Sequence, residues 1–177
     1  MQVRKAIIPA AGWGTRLLPA SKAIPKEMLP VVDRPGIQYI VEEAIASGLA
    51  EIILVTGKGK GCIEDHFDIQ GELEDVLEKN GRKELLAAIR KISRMVNIIA
   101  VRQKRQLGTG DAVLCAATVA AGEAVAVLYP DDLIDAEVPV TRQLLDVYER
   151  HQTAAVIALR EVPEEDTHLY EIGRAHV

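Results

Sequence analysis

Apolar residues in this chain occur either as short unbroken blocks or as stretches spaced three and four residues apart. The blocks at 6–11, 51–56, 97–101, 125–129 and 154–159 have the length and aliphatic content of buried strands. Between them, residues 37–47 place Ile37, Ile40, Val41, Ala44 and Ile45 on one helical face, with Gly48 as a C-terminal cap. A helical turn at 63–67 follows, then helices at 72–80 and 83–93 divided by Gly81, a small-residue helix at 110–121 and a helix at 140–152. Strands alternating with helices predict an α/β fold: a mostly parallel, Rossmann-like sheet with helices on both faces. Ligands of such sheets bind at the carboxyl ends of the strands. The Gly12 loop, Gly57, the Arg102-Gln103 loop and Asp131 therefore belong to one edge.

Composition narrows the function classes. A chain of 177 residues suits one domain, able to bury roughly two thirds of its unfolded surface. Aromatic residues make up only 3%, so the core must be aliphatic. The net charge of −5 argues against a nucleic-acid partner. It leaves a nucleotide site open, because the cations that matter are local. Cys62 and Cys115 are too few for a disulfide scaffold and fit a reducing compartment. Gly12 and Arg16 interrupt the first apolar run too early for a signal peptide or membrane span, so a soluble, cytoplasmic protein is expected.

The chemistry concentrates behind the first strand, where Gly12-Trp13-Gly14-Thr15-Arg16 leads into Lys22 and Pro25-Lys26. A strand ending in glycines exposes backbone N–H groups that can close around phosphate oxygens. The loop is not a Walker A motif, since no Gly-Lys-Ser/Thr closes it, and it lacks the third glycine of the dinucleotide fingerprint. Pro19, Pro25 and Pro30 are expected to keep the following segment extended, as a strap carrying Arg16, Lys22 and Lys26 across the sheet edge. A lone Gly-x-Gly is usually an ordinary turn. With Thr-Arg and two Pro-spaced lysines attached, it points to a polyphosphate.

The whole run from Gly12 to Pro30, Gly-x-Gly-Thr-Arg-x-x-Pro-x-x-Lys-x-x-Pro-Lys-Glu-Met-Leu-Pro, resembles the signature of the sugar-nucleotidyltransferases. Resemblance continues through Val32-Asp33-Arg34-Pro35, Ile63-Glu64-Asp65-His66-Phe67-Asp68, Val101-Arg102-Gln103, Leu107-Gly108, Ala112-Val113-Leu114-Cys115-Ala116 and Pro130-Asp131. Within the family, the wording is most similar to members that use UTP and glucose 1-phosphate. The resemblance implies an enzyme that makes UDP-glucose and pyrophosphate with Mg²⁺ as cofactor. Ala11, Gly12, Gly14 and Thr15 would hold the nucleotide, and Arg16 and Lys26 would act on its phosphates as catalytic cations. Gln103 and Gly108 match positions that read the uracil, and Asp131 matches the metal-binding aspartate. Asp132 is expected to point elsewhere and His66 to be structural; Cys62 and Cys115 lack a convincing base in the sequence, which argues against a nucleophile role.

The nearest enzyme alternative is thymidylyl transfer from dTTP; an alternative of another class is a nucleotide-binding module without turnover. The latter arises because the family's sugar-binding Glu-Lys pair and second metal aspartate have no counterpart here. Residues 1–170 are expected to form an incomplete nucleotide-binding domain whose full-length form is a homo-oligomer. Tyr170 resembles the start of a family Tyr-Gly segment, but Glu171-Ile172-Gly173-Arg174-Ala175-His176-Val177 does not continue it and reads as a non-native tail.

Overall fold

The computed structural model describes residues 2–159 and 161–169, so Tyr170 and the tail at 171–177 lie outside the described residues. In chain order the elements are β1 (Lys5–Pro9), β2 (Pro30–Val31), β3 (Arg34–Pro35), α1 (Gly36–Ala46), β4 (Glu51–Thr56), α2 (Gly61–Phe67), α3 (Gly71–Lys79) and α4 (Lys83–Ser93). They continue with β5 (Asn97–Arg102), α5 (Thr109–Cys115), α6 (Ala117–Ala120), β6 (Val125–Val127) and α7 (Val140–His151). Four strands form one wholly parallel sheet in the order β5-β4-β1-β6. The small β2–β3 pair is antiparallel.

Alternation along the central strands explains why helices cover both faces. Ala6 and Ile8 pair in register with Ile52 and Leu54, and these four pack with Ile37, Ile40 and Val41 of α1, Ile63 of α2 and Leu145 of α7. The intervening residues, Ile7, Ile53 and Val55, pack against Ala112 of α5, Ala116, and Ala120 of α6. Alanines there let the helices lie close to the sheet. Burial of each isoleucine side chain contributes about 1.5–3 kcal/mol, so β1 and β4 are the part of the sheet most strongly fixed.

Three expectations are corrected. The apolar run at 154–159 forms no strand; Ile157 and Leu159 are exposed instead of paired. Apolar content makes a segment fit for a ladder, but the ladder needs a neighbour, and no described strand pairs with it. The strap is not extended: it folds into three single 3-10 turns, Thr15–Leu17, Ala20–Lys22 and Lys26–Met28. Pro19 and Pro25 stand immediately before the second and third turns, where proline's fixed φ suits a turn entry. Finally, the helix expected at 110–121 is broken at Ala116 into α5 and α6. Among the described residues no helix is long and apolar enough to cross a membrane.

Candidate active site

At the carboxyl edge of the sheet, the Ala10 amide still donates to Val55 O at 2.8 Å, the last ladder bond before the loop. Ala11 O accepts from Gln106 Nε2 at 3.4 Å. Gly57, just past β4, packs so closely there that a Cβ on it would lie 3.2 Å from Ala11 O. Gly12 is exposed and faces open space.

Gly14 differs. Its φ of +68° is left-handed, and a Cβ there would meet the Lys26 Cβ at 3.1 Å and the Ser21 Cβ at 3.3 Å. Ser21 Oγ donates to Gly14 O at 2.7 Å, tying the first turn of the strap to the second. The glycine is thus required twice, by its backbone and by its neighbours. It seats the stem of Lys26, whose Nζ donates to Asp131 Oδ2 at 2.7 Å across 105 positions of sequence. Gly36, the first residue of α1, lies between the strap and the Asp131 loop, its Cβ position 3.8 Å from both Glu27 O and Pro130 O.

Asp131 is exposed in a turn closed by the Asp132 amide on Tyr129 O. Partial burial pushes the Asp132 carboxyl above its ordinary range, the Asp131 charge adds to this, and Lys26 opposes it. Asp131 and Asp132 are thus neighbouring carboxylates, the first of them paired with the Lys26 ammonium. Among the described residues no three His, Cys, Asp or Glu side chains converge. A metal here would therefore draw most of its ligands from outside the protein.

Thr15 opens the first strap turn, and Arg16 and Lys22 are exposed; neither cation has an ion-pair partner among the described residues. Gln103 follows β5 and is buried; its amide N–H donates to Thr56 O at 2.9 Å. The Gln103 side-chain Nε2 donates to Gly108 O at 3.2 Å and to Asp111 Oδ2 at 2.7 Å. Both of its N–H groups are engaged, leaving the carbonyl Oε1 as the group with capacity for a ligand. Gly108 has φ +99°, a conformation that favours glycine. The structure thus joins Gly14, Lys26 and Asp131 directly, and Gln103 with Gly108 separately. Among the described residues Arg16 has no side-chain hydrogen bond or ion pair to either group.

Sequence reasoning gave no role to Asp111, Gln106, or the buried pair Glu27 and Lys60. The signal for Glu27 was its place between Lys26 and Met28, inside the motif. His66 Nε2 lies 3.0 Å from Gln38 Oε1, an oxygen that can only accept, so the ring N–H donates; Phe67 makes an edge-on contact with the ring, and burial pushes the imidazole below the usual range. Cys62 and Cys115 are unpaired thiols, and Trp13 is largely exposed.

A turn of glycines, a strap cation and an aspartate brought together at the carboxyl edge of a parallel sheet suit transfer of a phosphate-bearing group. The nucleotidyl transferase family matches residues 5–170, and the chain belongs to that family. Over 171 residues it is 54% identical to a UTP–glucose-1-phosphate uridylyltransferase of Bacillus subtilis (strain 168), a match covering 97% of this chain and 58% of that protein. Among solved structures it is similar to a UTP-bound UGPase from Acinetobacter baumannii, with a TM-score of 0.81, 46% identity, and coverage of 85% of this chain and 54% of the other. A UDP-glucose pyrophosphorylase complexed with UDP-glucose superimposes with a TM-score of 0.74 at 38% identity, covering 85% and 55%. The chain spans less than two thirds of the length of these relatives.

Proposed function

We propose that this chain is the nucleotide-binding part of an enzyme that transfers the uridylyl group of UTP to glucose 1-phosphate. What carries the reading is the Lys26–Asp131 pair seated on Gly14, in a chain 54% identical to a uridylyltransferase of that name. A phosphate oxygen of glucose 1-phosphate attacks the α-phosphorus of UTP; the new P–O bond forms as the bond to the β-phosphate oxygen breaks, and pyrophosphate leaves with that electron pair. No protein nucleophile is needed, because the attacking oxygen is already anionic. The obstacle is like-charge approach, about 4 kcal/mol per contact pair at a surface-like dielectric.

Lys26 and Arg16 oppose that repulsion at the phosphates, while the backbone at Ala11, Gly12, Gly14 and Thr15 orients them. Gln103 Oε1 accepts from the base, and the Gly108 backbone lies beside it. Asp131, with Asp132 adjacent, suits Mg²⁺, a hard ion content with one or two carboxylates and otherwise water and phosphates. When bound, that ion would supply charge neutralisation of the polyphosphate. Full-length assemblies of this enzyme are expected to be homo-oligomeric and cytoplasmic.

A second reading is a nucleotide holder without turnover. Calorimetric titration with UTP, dTTP and glucose 1-phosphate, joined to a pyrophosphate-release assay, separates them. UTP binding with turnover supports the transferase; UTP binding without sugar binding or turnover supports the holder. A chain that does not bind UTP, or prefers dTTP, refutes the uridylyl assignment.

A further inference from the structure

What fixes the turn that carries Lys26 lies on its far side. Glu27 is 2% exposed and Lys60 7%, and Lys60 Nζ donates to both carboxylate oxygens of Glu27, at 2.9 and 2.8 Å. Glu27 is the middle residue of the Lys26–Met28 turn, and Lys60 is the residue immediately before α2. The pair therefore bolts the strap to the loop after β4, the loop whose Gly57 packs on Ala11.

Removing two charges from water is costly, and apolar residues of similar size would commonly hold the same position as well or better. An ion pair supplies direction instead: the ammonium is satisfied only where it faces both carboxylate oxygens, which fixes Glu27 and with it the turn. Other contacts complete the clamp. Met28 packs on the main core, the Gly36 amide donates to Leu29 O at 3.1 Å, and the Met28 and Leu29 amides close the turn on Pro25 O and Lys26 O. Gly14 limits the Lys26 stem, its Cβ position lying 3.1 Å from the Lys26 Cβ.

We infer that Glu27 and Lys60 are positioning residues that set where the Lys26 ammonium meets the nucleotide's phosphates, an inference resting on the nucleotide reading above. They touch no substrate. Their effect on binding passes through Lys26, so it must be confined to ligands that carry phosphates, and it must vanish when Lys26 is gone.

The test compares UTP with uridine by calorimetry in the full chain. The neutral double variant Glu27→Gln/Lys60→Met is expected to weaken UTP binding about tenfold, the scale of one charge-assisted hydrogen bond, with uridine affinity unchanged. Lys26→Met is expected to cost about as much in the native background but little when added to the double variant, because coupled sites are not additive. Lys60→Arg, which keeps the pair, is expected to retain UTP binding. Without nucleotide, amide exchange at Met28 and Leu29 should quicken in the double variant while β4 stays protected. Equal losses of UTP and uridine, additive costs with Lys26→Met, or unchanged exchange at Met28 and Leu29 would each overturn the inference. If the native chain binds UTP no better than uridine, the nucleotide reading falls and the inference with it, even where amide exchange has changed.

Discussion

Gly12 and Gly14 belong to one motif but serve it differently, and alanine at each position should separate the two roles. At Gly14, φ is +68° and a Cβ would stand 3.1 Å from the Lys26 Cβ and 3.3 Å from the Ser21 Cβ. The left-handed conformation alone costs an L-residue about 1–2 kcal/mol, and the steric contact adds to it. For a chain of this length each kcal/mol lowers Tm by about 2–4 °C, so Gly14→Ala should melt about 2–8 °C lower. Gly12 has no atom within 4 Å of its Cβ position and no left-handed φ. Gly12→Ala should therefore not lower Tm, and restriction of the unfolded chain stabilises such variants by about 0.4–1 kcal/mol. Its loss should appear in UTP affinity, because the methyl group enters the open space assigned to the phosphates. Gly14→Asn sharpens the comparison: asparagine tolerates the left-handed region, so its cost is mainly displacement of Lys26. Differential scanning fluorimetry and UTP titration read both effects. A Gly14→Ala variant that melts with the native chain would refute the geometric argument, and a Gly12→Ala variant that binds UTP normally would refute the phosphate cradle.

The metal proposed at Asp131 would compete with Lys26 for its carboxylate, so Lys26→Met should raise Mn²⁺ affinity of the nucleotide-free chain. For a pair this exposed the gain is about 0.2–1 kcal/mol, or up to about fivefold; paramagnetic resonance reads it, with Lys22→Met as the control, and an unchanged affinity counts against the competition. Gln103→Glu sets a carboxylate where Nε2 now donates to Asp111 Oδ2; it should lower Tm, more at pH 8 than at pH 5, and a pH-independent Tm change would contradict it. His66 has a folded pKa held below 6.5 by burial, so the unfolded chain takes up its proton first as pH falls. Its contribution is present above about pH 6.5 and declines as pH drops through that value towards the folded pKa. Thermal melts between pH 5 and 8 should show this slope, and His66→Gln should flatten it.

The parts of the molecule legible in sequence are those whose information is local. The unbroken apolar run Ile52-Ile53-Leu54-Val55 can be satisfied only by burial on both faces, and β4 is central in the sheet. The period of Ile37, Ile40, Val41 and Ala44 fixes α1 and its buried face. The run at 154–159 has similar content, but strand formation depends on an edge that no local pattern records. Proline in the strap excluded an α-helix correctly, yet a fixed φ serves a 3-10 turn as readily as an extended chain. The Gly12 motif and Asp131 could each be singled out, and the parallel topology assigns them to one edge. Their direct link through Lys26 could not be read, because it joins positions 105 apart. Gln103 shows the same limit: its type offers donors and acceptors, and only the fold reveals that Gly108 and Asp111 take the donors.

Two ion pairs of nearly equal length leave consecutive residues of the same turn, and burial makes them opposites. Lys60–Glu27 spans 2.8 Å with side chains 9% and 1% exposed; Lys26–Asp131 spans 2.7 Å with 21% and 56% exposed. Opening the buried pair strands charges without water, a loss of about 3–5 kcal/mol when one partner is removed. Opening the exposed pair costs about 0–1 kcal/mol, since water solvates both groups as they part. A phosphate arriving at Lys26, or a cation arriving at Asp131, can therefore displace the second pair while the first stays closed. The turn keeps its place through Glu27 and exchanges partners through Lys26. Neither property follows from ion-pair distance; both follow from which side of the turn faces the core.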